Sequence, residues 1–333
     1  MKKGLSGIVI LLVFALVLAG CGTGNNTSDS SQTATTDSTP NEAAGGPVKV
    51  KHNRGEITLD RPAKRVVVLE WTFTEDMVAL GVQPVGNADN AGYKQYVSSE
   101  AALDSSVTDV GTRDEPNLEA IAALKPDLII SNVDGNAAIY DQLKAIAPTV
   151  EYSLNNGKGY DYDKMVEIFN NIAVALGKED KAKQVLKELD QHYVDVKEKL
   201  AAAGKADFHY ILTQAFTYQN AASLRMFSNN SVVAGTLAKI GLINDWKPAK
   251  LEAYGFSTVG IEALSAVQDS NFIYIVQPDD DVFGAALKHN SVWNGLNFVK
   301  EKRTYALDSK TWTFGGPISS KALVDHAITA ILK

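Results

Sequence analysis

Apolar residues recur every three or four positions through the middle of the chain, on both sides of Gly177. They are Met165, Ile168, Ile172, Ala175, Leu176, Ala182, Val185, Leu186, Leu189, Tyr193, Val196 and Leu200. This spacing places apolar side chains on one face of an α-helix. We therefore expect residues 161–204 to form either one amphipathic helix broken near Gly177 or two helices in series. The second piece would be about 30 Å long if it continued to Ala203.

Short apolar runs alternate with helical patterns on each side of this region. The runs that predict strands are Arg65–Leu69, Val82–Val85, Asp127–Ile130, Thr149–Val150, Phe208–Leu212, Phe272–Val276 and Thr304–Leu307. Alternating strands and helices are typical of parallel sheets covered by helices. We expect an α/β protein in which residues 48–160 and 205–333 form two lobes with mainly parallel sheets. One long α-helix would join the lobes and leave a cleft between them. The alternative is a single large domain with a long surface helix.

The ends of the predicted strands indicate where a ligand would bind. Loops at the carboxyl ends of parallel strands face the ligand crevice in folds of this kind. In the first lobe, Trp71 and Arg113 lie at such ends. In the second lobe we expect a polar, aromatic loop after Leu212, and this loop carries Tyr218 and Arg225.

The N-terminus has the parts of an export signal. Two lysines precede an apolar run from Ile8 to Leu18, and small residues follow. The tetrad Leu18-Ala19-Gly20-Cys21 resembles the lipobox of bacterial lipoproteins, in which the cysteine is diacylated and becomes the new N-terminus. We expect residues 1–20 to be a lipoprotein signal peptide and Cys21 to carry a lipid that holds the protein at a membrane. An ordinary secretory signal followed by an incidental cysteine is the alternative.

The segment after this cysteine has the composition of a linker. Between Gly22 and Pro47 nearly every residue is Gly, Asn, Thr, Ser, Asp or Ala, so the segment has little apolar area to bury. We expect residues 21–47 to combine the lipid anchor with a flexible tether. This arrangement is typical of proteins on the outer face of a Gram-positive cell membrane. The mature protein is therefore expected to work outside the cytoplasm, away from ATP and nicotinamide pools.

Charge and composition argue against several classes of function. The chain has 333 residues and a net charge of −7, which does not suit binding to nucleic acid or to an anionic membrane surface. Its single cysteine excludes an intramolecular disulfide. We find no nucleophile elbow, Walker loop or His-Glu-x-x-His motif, so a secreted hydrolase is not favoured. The histidines are scattered without the spacing of a metal site, so a receptor for a bare metal ion is not favoured either.

Two predicted helices, one in each lobe, share a glutamate in their first turn. Glu119 lies in the first turn of the helix that precedes Asp127–Ile130, and Glu262 lies in the first turn of the helix that precedes Phe272–Val276. Each carboxylate can simply complement the helix dipole, an effect of about 0.3–1 kcal/mol. On spacing alone we prefer that interpretation.

Three segments carry a resemblance to a known family, and they are Arg65–Gly86, Asp109–Ile130 and Tyr218–Gly241. They resemble the periplasmic binding proteins of iron–siderophore uptake, the class that serves ferric citrate, ferrichrome and vitamin B12. The resemblance covers nearly everything after the tether. It implies a class III periplasmic-binding-protein fold, with two α/β lobes joined by one long helix and the ligand between them.

The same resemblance implies a role and partners. It implies a monomeric receptor, not an enzyme, that passes a ferric siderophore to a dimeric ABC permease driven by its ATPase. Glu119 and Glu262 match the acidic residues that meet arginines of the permease, so with the resemblance we prefer docking over helix capping. A heme or cobalamin receptor of the same fold remains the alternative.

A ferric siderophore surrounds its iron with hard oxygen donors, so the protein need not ligate the metal and needs no further cofactor. It needs cations for the anionic groups of the complex and aromatic faces for the organic scaffold. Arg113 and Arg225 are the expected cations, both at ligand-contacting positions by resemblance. The expected aromatic walls are Trp71, Tyr93, Tyr218, Trp312 and Phe314. Few basic residues lie near the predicted cleft, which favours a hydroxamate or citrate–hydroxamate ligand over a tricatecholate. Whether Arg303 or Lys310 also reaches the ligand is left open.

Overall fold

The computed structural model describes residues 46–155 and 159–333. The predicted signal peptide, Cys21 and most of the predicted tether lie outside these residues. Within the described ranges, no helix has both the length and the apolar character needed to cross a membrane.

The first lobe is built on a parallel sheet. Its strands are β1 (Val48–His52), β2 (Gly55–Leu59), β3 (Val66–Val68), β4 (Gly86–Asn87), β5 (Thr108–Asp109), β6 (Leu128–Asn132) and β7 (Thr149–Tyr152). β1 and β2 form an antiparallel hairpin, and the other five form one parallel sheet in the order β5-β4-β3-β6-β7. The helices are α1 (Trp71–Ala79), α2 (Asn90–Tyr96), α3 (Leu118–Ala123), α4 (Val133–Asn136) and α5 (Tyr140–Ile146). Every residue of β3 and β6 is buried, as expected for central parallel strands.

Two helices in series follow, α6 (Tyr162–Leu176) and α7 (Glu179–Ala202). Of the two alternatives that the apolar spacing allows, the structure has the second. Asp161 caps α6 by accepting a hydrogen bond from the Lys164 backbone N–H at 2.9 Å. The break falls at Gly177, which adopts a left-handed conformation with φ 62°. A glycine ends a helix in this way at little steric cost.

The second lobe has a mixed sheet. Its strands are β8 (His209–Tyr218), β9 (Ala221–Phe227), β10 (Ile243–Asn244), β11 (Phe256–Val259), β12 (Asn271–Ile275) and β13 (Thr304–Ala306). The strand order is β11-β9-β8-β12-β13, with β10 beside the start of β8. β8, β10, β12 and β13 run parallel, whereas β9 is antiparallel to both neighbours. The helices are α8 (Val232–Lys239), α9 (Ser291–Gly295), α10 (Asn297–Lys300) and α11 (Pro317–Ile331), and residues Ile261–Val267 form a 3-10 helix.

The prediction of a loop after Leu212 is wrong. β8 continues to Tyr218 and turns directly into β9, so that the two strands form an antiparallel hairpin. The turn residues Gln219 and Asn220 have φ values of 49° and 63°, as in the two-residue turns that match the twist of a hairpin. Arg225 therefore lies on a strand, opposite Gln214, rather than in a loop.

The connection between the lobes depends on α6. It packs against β1 and α1 of the first lobe and against α8 of the second lobe, whereas α7 packs mainly on α6 and α11. Ile168 and Ile172 of α6 are fully buried in an apolar core that also contains Val68 of the first sheet and Leu212 of the second. The two lobes thus share one core at the level of α6.

Candidate functional site

A cavity of about 510 Å³ lies between the carboxyl-end regions of the two lobes. Its lining residues are Trp71, Gln95, Tyr96, Arg113, Gln214, Ala215, Phe216, Thr217, Arg225, Ile275, Val276, Gln277, Asp279, Asp280 and Trp312. A second cavity of about 270 Å³ adjoins it and shares Arg113, Arg225 and Trp312. The residues lining this second cavity also include Glu70, Asp114, Asn132, Asp134, Tyr254, Phe256 and Phe314. Together the two cavities form a cleft, and both lobes contribute to its walls.

Arg113 enters the cleft from the first lobe and is held by two neighbours. Its Nη1 lies 3.1 Å from Oε1 of Glu70, and its guanidinium lies 3.8 Å above the ring of Trp71. Glu70 is only 5% exposed and also accepts hydrogen bonds from the Trp71 backbone N–H at 2.9 Å and from Asn132 Nδ2 at 3.4 Å. Glu70 and Asn132 come from the ends of the adjacent strands β3 and β6. The ion pair with Glu70 and the contact with Trp71 therefore fix the arginine and leave 34% of its side chain exposed to solvent.

Arg225 enters from the second lobe in a different environment. Its Nη1 donates a hydrogen bond to Oε1 of Gln214 at 3.3 Å. Its guanidinium lies 4.9 Å from the Phe216 ring and 5.3 Å from the Phe256 ring, within the range of cation–π attraction. Burial lowers the pKa of Arg225. Among the residues that the structure describes, this arginine makes no salt bridge with a carboxylate.

Aromatic side chains connect the two lobes across the cleft. Trp71 stacks on Tyr96, and the centroid of Trp71 lies 5.3 Å from that of Trp312 on the other lobe. Trp312 in turn meets Phe314 at 5.5 Å, and Phe314 meets Phe256 at 5.9 Å. These are edge-to-face or offset contacts that leave other ring surfaces free to meet a ligand.

Five of the seven expected ligand residues, Trp71, Arg113, Arg225, Trp312 and Phe314, line the cleft. Tyr93 and Tyr218 do not. Tyr93 is only 2% exposed because it packs in a small apolar core with Trp71. Its hydroxyl donates a hydrogen bond to the Ala101 carbonyl within that core. Tyr218 is 61% exposed at the tip of the β8–β9 hairpin, beyond the cleft wall.

The two basic residues that the sequence left open do not line the cleft. Arg303 bonds to the carbonyls of Asp269 and Ser270, which precede β12, and so lies at the opposite end of the sheet from the cleft. Lys310 is absent from the residues that line the two cavities, within the part of the chain described.

Several lining residues went unrecognised in the sequence. Gln214 and Phe256 lie on paired strands of the second sheet, whereas Glu70 follows β3 and Tyr254 precedes β11. The acidic residues Asp134, Asp279 and Asp280 also line it. Glu70 could have been found, because it directly follows a predicted strand as Trp71 does.

Two buried carboxyl groups, Glu75 and Asp76, lie on α1 where it meets the first turn of α11. Glu75 accepts hydrogen bonds from the backbone N–H and the hydroxyl of Ser319, the former at 2.7 Å. Burial raises the pKa of Glu75 to about 7, against the opposing effect of these hydrogen bonds. Burial and the neighbouring Glu75 raise the pKa of Asp76 as well. Neither oxygen of Asp76 has a hydrogen-bond partner among the described residues.

The two glutamates singled out by the sequence lie in the first turns of their helices, as expected. Glu119 is in α3 and Glu262 is in the 3-10 helix Ile261–Val267, and both are exposed. Neither makes a salt bridge within residues 46–155 and 159–333. Both carboxylates are therefore available to a partner. No group of three or more His, Cys, Asp or Glu side chains in those ranges is arranged to hold a metal ion.

Comparison with known proteins gives a consistent result. A family model described as periplasmic binding protein matches residues 66–311. The Fe(3+)-citrate-binding protein YfmC of Bacillus subtilis is 32% identical over 314 residues, which is 94% of this chain and 92% of that protein. The iron(3+)-hydroxamate-binding protein FhuD of Escherichia coli is 28% identical, over 79% of this chain and 86% of that protein. The siderophore-binding protein FhuD from Vibrio cholerae, solved with bound Fe3+–Desferal, has a TM-score of 0.74 and 27% identity, covering 81% of this chain and 98% of that one.

Proposed function

The chain belongs to the periplasmic binding protein family, and from this premise we propose that it is an extracytoplasmic receptor for a ferric siderophore. The receptor captures the complex between its lobes and delivers it to an ABC import permease. The family is one of binding proteins, and the named relatives bind ferric complexes of citrate and hydroxamates. The fold, with two α/β lobes that face each other across a cleft, supports this role because it provides a site between the lobes.

The observation that carries the proposal is the composition of the cleft. Each lobe contributes one arginine, Arg113 or Arg225, and aromatic rings from both lobes lie between them. A ferric siderophore presents anionic oxygens around its iron and apolar carbon around those oxygens. Guanidinium groups can hydrogen-bond to the anionic oxygens, and aromatic faces can pack against the apolar carbon. The iron is cargo, held by the siderophore rather than by the protein.

The direct test is a titration of the purified protein with a panel of ferric siderophores, read by quenching of its intrinsic fluorescence. The chain has four tryptophans, and Trp71 and Trp312 line the cleft, so a bound ferric complex should quench part of the signal. We expect saturable quenching by at least one hydroxamate or citrate–hydroxamate complex. The iron-free siderophore should bind more weakly. An absence of saturable quenching across the panel would remove the proposed function.

The proposal extends to location and delivery. A lipid on Cys21 and a tether over residues 21–47 would hold the receptor on the extracytoplasmic face of the cell membrane. Glu119 and Glu262, exposed on the two lobes and free of salt bridges among the described residues, would then meet basic residues of a dimeric permease. Each lobe would then contact one subunit of the permease dimer through its own glutamate.

A further inference from the structure

Two arginines in the cleft have partners of different charge. Arg113 is paired with the carboxylate of Glu70 at 3.1 Å, whereas Arg225 is paired with the neutral amide of Gln214 at 3.3 Å. The first arginine is therefore already neutralised by a residue of the protein. Only the second offers an uncompensated positive charge to a ligand.

The lining of the whole cleft has more acidic than basic side chains. Two arginines face five carboxyl groups, those of Glu70, Asp114, Asp134, Asp279 and Asp280, and no lysine or histidine lines either cavity within the described ranges. Unit charges a few ångströms apart near a protein surface interact with a free energy large enough to change affinity by about tenfold or more. An anionic ligand entering this cleft would meet more repulsion than attraction.

We propose that Glu70 is a specificity-determining residue that makes the cleft favour neutral or cationic ferric complexes over those with a net negative charge. The inference rests on the proposed function and narrows its ligand class. Glu70 acts by holding the guanidinium of Arg113 flat on Trp71. It satisfies part of the guanidinium before any ligand arrives, so Arg113 orients a polar oxygen of the ligand without supplying net charge.

Three hydroxamates balance the charge of Fe(III), so a trihydroxamate complex is neutral unless its scaffold carries another charge. The complex with desferrioxamine B has one ammonium group outside the iron shell and is cationic. Its N-acetylated form has nearly the same shape and is neutral. Ferric dicitrate has a net negative charge. These three complexes therefore separate the effect of charge from that of iron ligation.

The test uses two reciprocal, nearly isosteric variants of the full mature chain. Glu70→Gln removes the counter-ion of Arg113 and keeps an oxygen that accepts from the Trp71 backbone N–H. Gln214→Glu gives Arg225 the counter-ion that it lacks. Glu198→Gln, an exposed position on α7, is the control for net charge. Affinity for each of the three complexes is measured by fluorescence quenching or calorimetry, and thermal melting checks that every variant is folded.

We expect the wild type to bind both desferrioxamine complexes more tightly than ferric dicitrate, by about tenfold or more. Glu70→Gln should raise affinity for ferric dicitrate about tenfold, and Gln214→Glu should lower it by a similar factor. Relative to the neutral N-acetylated complex, the affinity for ferric dicitrate should therefore move about tenfold in opposite directions in the two variants, whereas Glu198→Gln should leave this ratio unchanged. A purely structural role for Glu70 would affect all three ligands alike.

The outcomes separate the two proposals. If the wild type binds none of these or other ferric siderophores, the proposed function fails. If it binds ferric hydroxamates but binds ferric dicitrate equally well, or if the two variants shift all ligands in the same direction, the receptor function stands and the role of Glu70 is overturned.

Discussion

At the scale of single residues, the cleft arginines differ in what remains after each is removed. Arg225 is flanked by Phe216 and Phe256 and has one hydrogen-bonded side-chain partner, Gln214. Its loss leaves no buried charge behind. Loss of Arg113 instead leaves the carboxylate of Glu70, 5% exposed, without its cation. The two substitutions are therefore expected to weaken binding for different reasons.

We predict that Arg225→Ala and Arg113→Ala each weaken the binding of the preferred ferric siderophore by about 1.5–3 kcal/mol, the usual range for a hydrogen bond to a charged group. Titration calorimetry measures the change. Arg225→Ala should leave the melting temperature nearly unchanged, whereas Arg113→Ala should lower it, because an unpaired buried carboxylate is destabilising. Arg61→Ala, an exposed arginine away from the cleft, is the control. Unchanged affinity in both cleft variants would remove these arginines from the ligand site.

The arginines could be predicted from the sequence, but the pairing of each arginine with its partner could not. Arg113 lies in a loop after a strand, in the segment that matches the family. Glu70 lies 43 positions earlier and becomes its neighbour only when the strands assemble side by side. Tyr93 shows the opposite case. It lies in a stretch that the sequence predicts to be a loop near the ligand, but the structure forms α2 there and places Tyr93 in a local core, which only packing decides.

At the scale of elements, α1 and the segment leading into α11 form a contact between lobes that depends on buried carboxyl groups. The hydroxyl of Thr72 donates to the Phe314 carbonyl at 2.7 Å, and Glu75 accepts from Ser319. A side chain at Gly315 or Gly316 would collide with Glu75 or Asp76. The glycines thus permit close approach, and the approach buries both acids.

This contact should make stability depend on pH. Glu75 has a folded-state pKa of about 7 against an ordinary value of 4.5, so the folded protein holds a proton that the unfolded chain releases. Stability should therefore be greatest below about pH 4.5, as far as this group is concerned, and fall as pH rises towards 7. The raised pKa of Asp76 acts in the same direction. The effect of Glu75 is on the order of 3 kcal/mol.

Glu75→Gln provides the matching variant, since an amide can keep hydrogen bonds to Ser319 without a titrating group. Urea unfolding at pH 5 and at pH 8 should show a smaller loss of stability in the variant than in the wild type. An equal loss in both proteins would show that Glu75 does not titrate in this range.

The β8–β9 hairpin shows where element prediction failed. The two turn residues are Gln219 and Asn220, which adopt the left-handed conformation although neither is Gly or Pro. Turn signals that depend on Gly and Pro therefore missed it. The sequence signal that was available is the alternation of apolar Leu224, polar Arg225 and apolar Met226, which is expected of a strand. In the structure Leu224 and Met226 are buried, as that alternation predicts.

At the scale of the whole molecule, the exposed glutamates of the two lobes define the proposed docking face. We predict that Glu119→Ala combined with Glu262→Ala abolishes uptake of the ferric siderophore in cells. Ligand affinity of the purified protein should be unchanged, because neither residue lines the cleft. Each single variant should retain partial uptake. Normal transport by the double variant would rule out this docking arrangement.

The architecture was predictable because it depends on repeated local patterns. Alternating strands and helices predicted the two α/β lobes, and the period of apolar residues predicted α6 and α7 with their break at Gly177. The sequence could not show that the shorter helix α6 makes the main connection between lobes. That assignment depends on contacts with β1, α1 and α8, which are distant in the chain.

The shared core around α6 has a consequence for how the protein melts. Ile168 and Ile172 lie in one apolar core with residues of both sheets, so the unfolding of either lobe would expose apolar surface of this shared core. Differential scanning calorimetry should therefore show one endotherm, with equal calorimetric and van't Hoff enthalpies, rather than two separable ones. Both lobes would then unfold in one cooperative transition, and a ligand bound mainly by one lobe would raise the melting temperature of both.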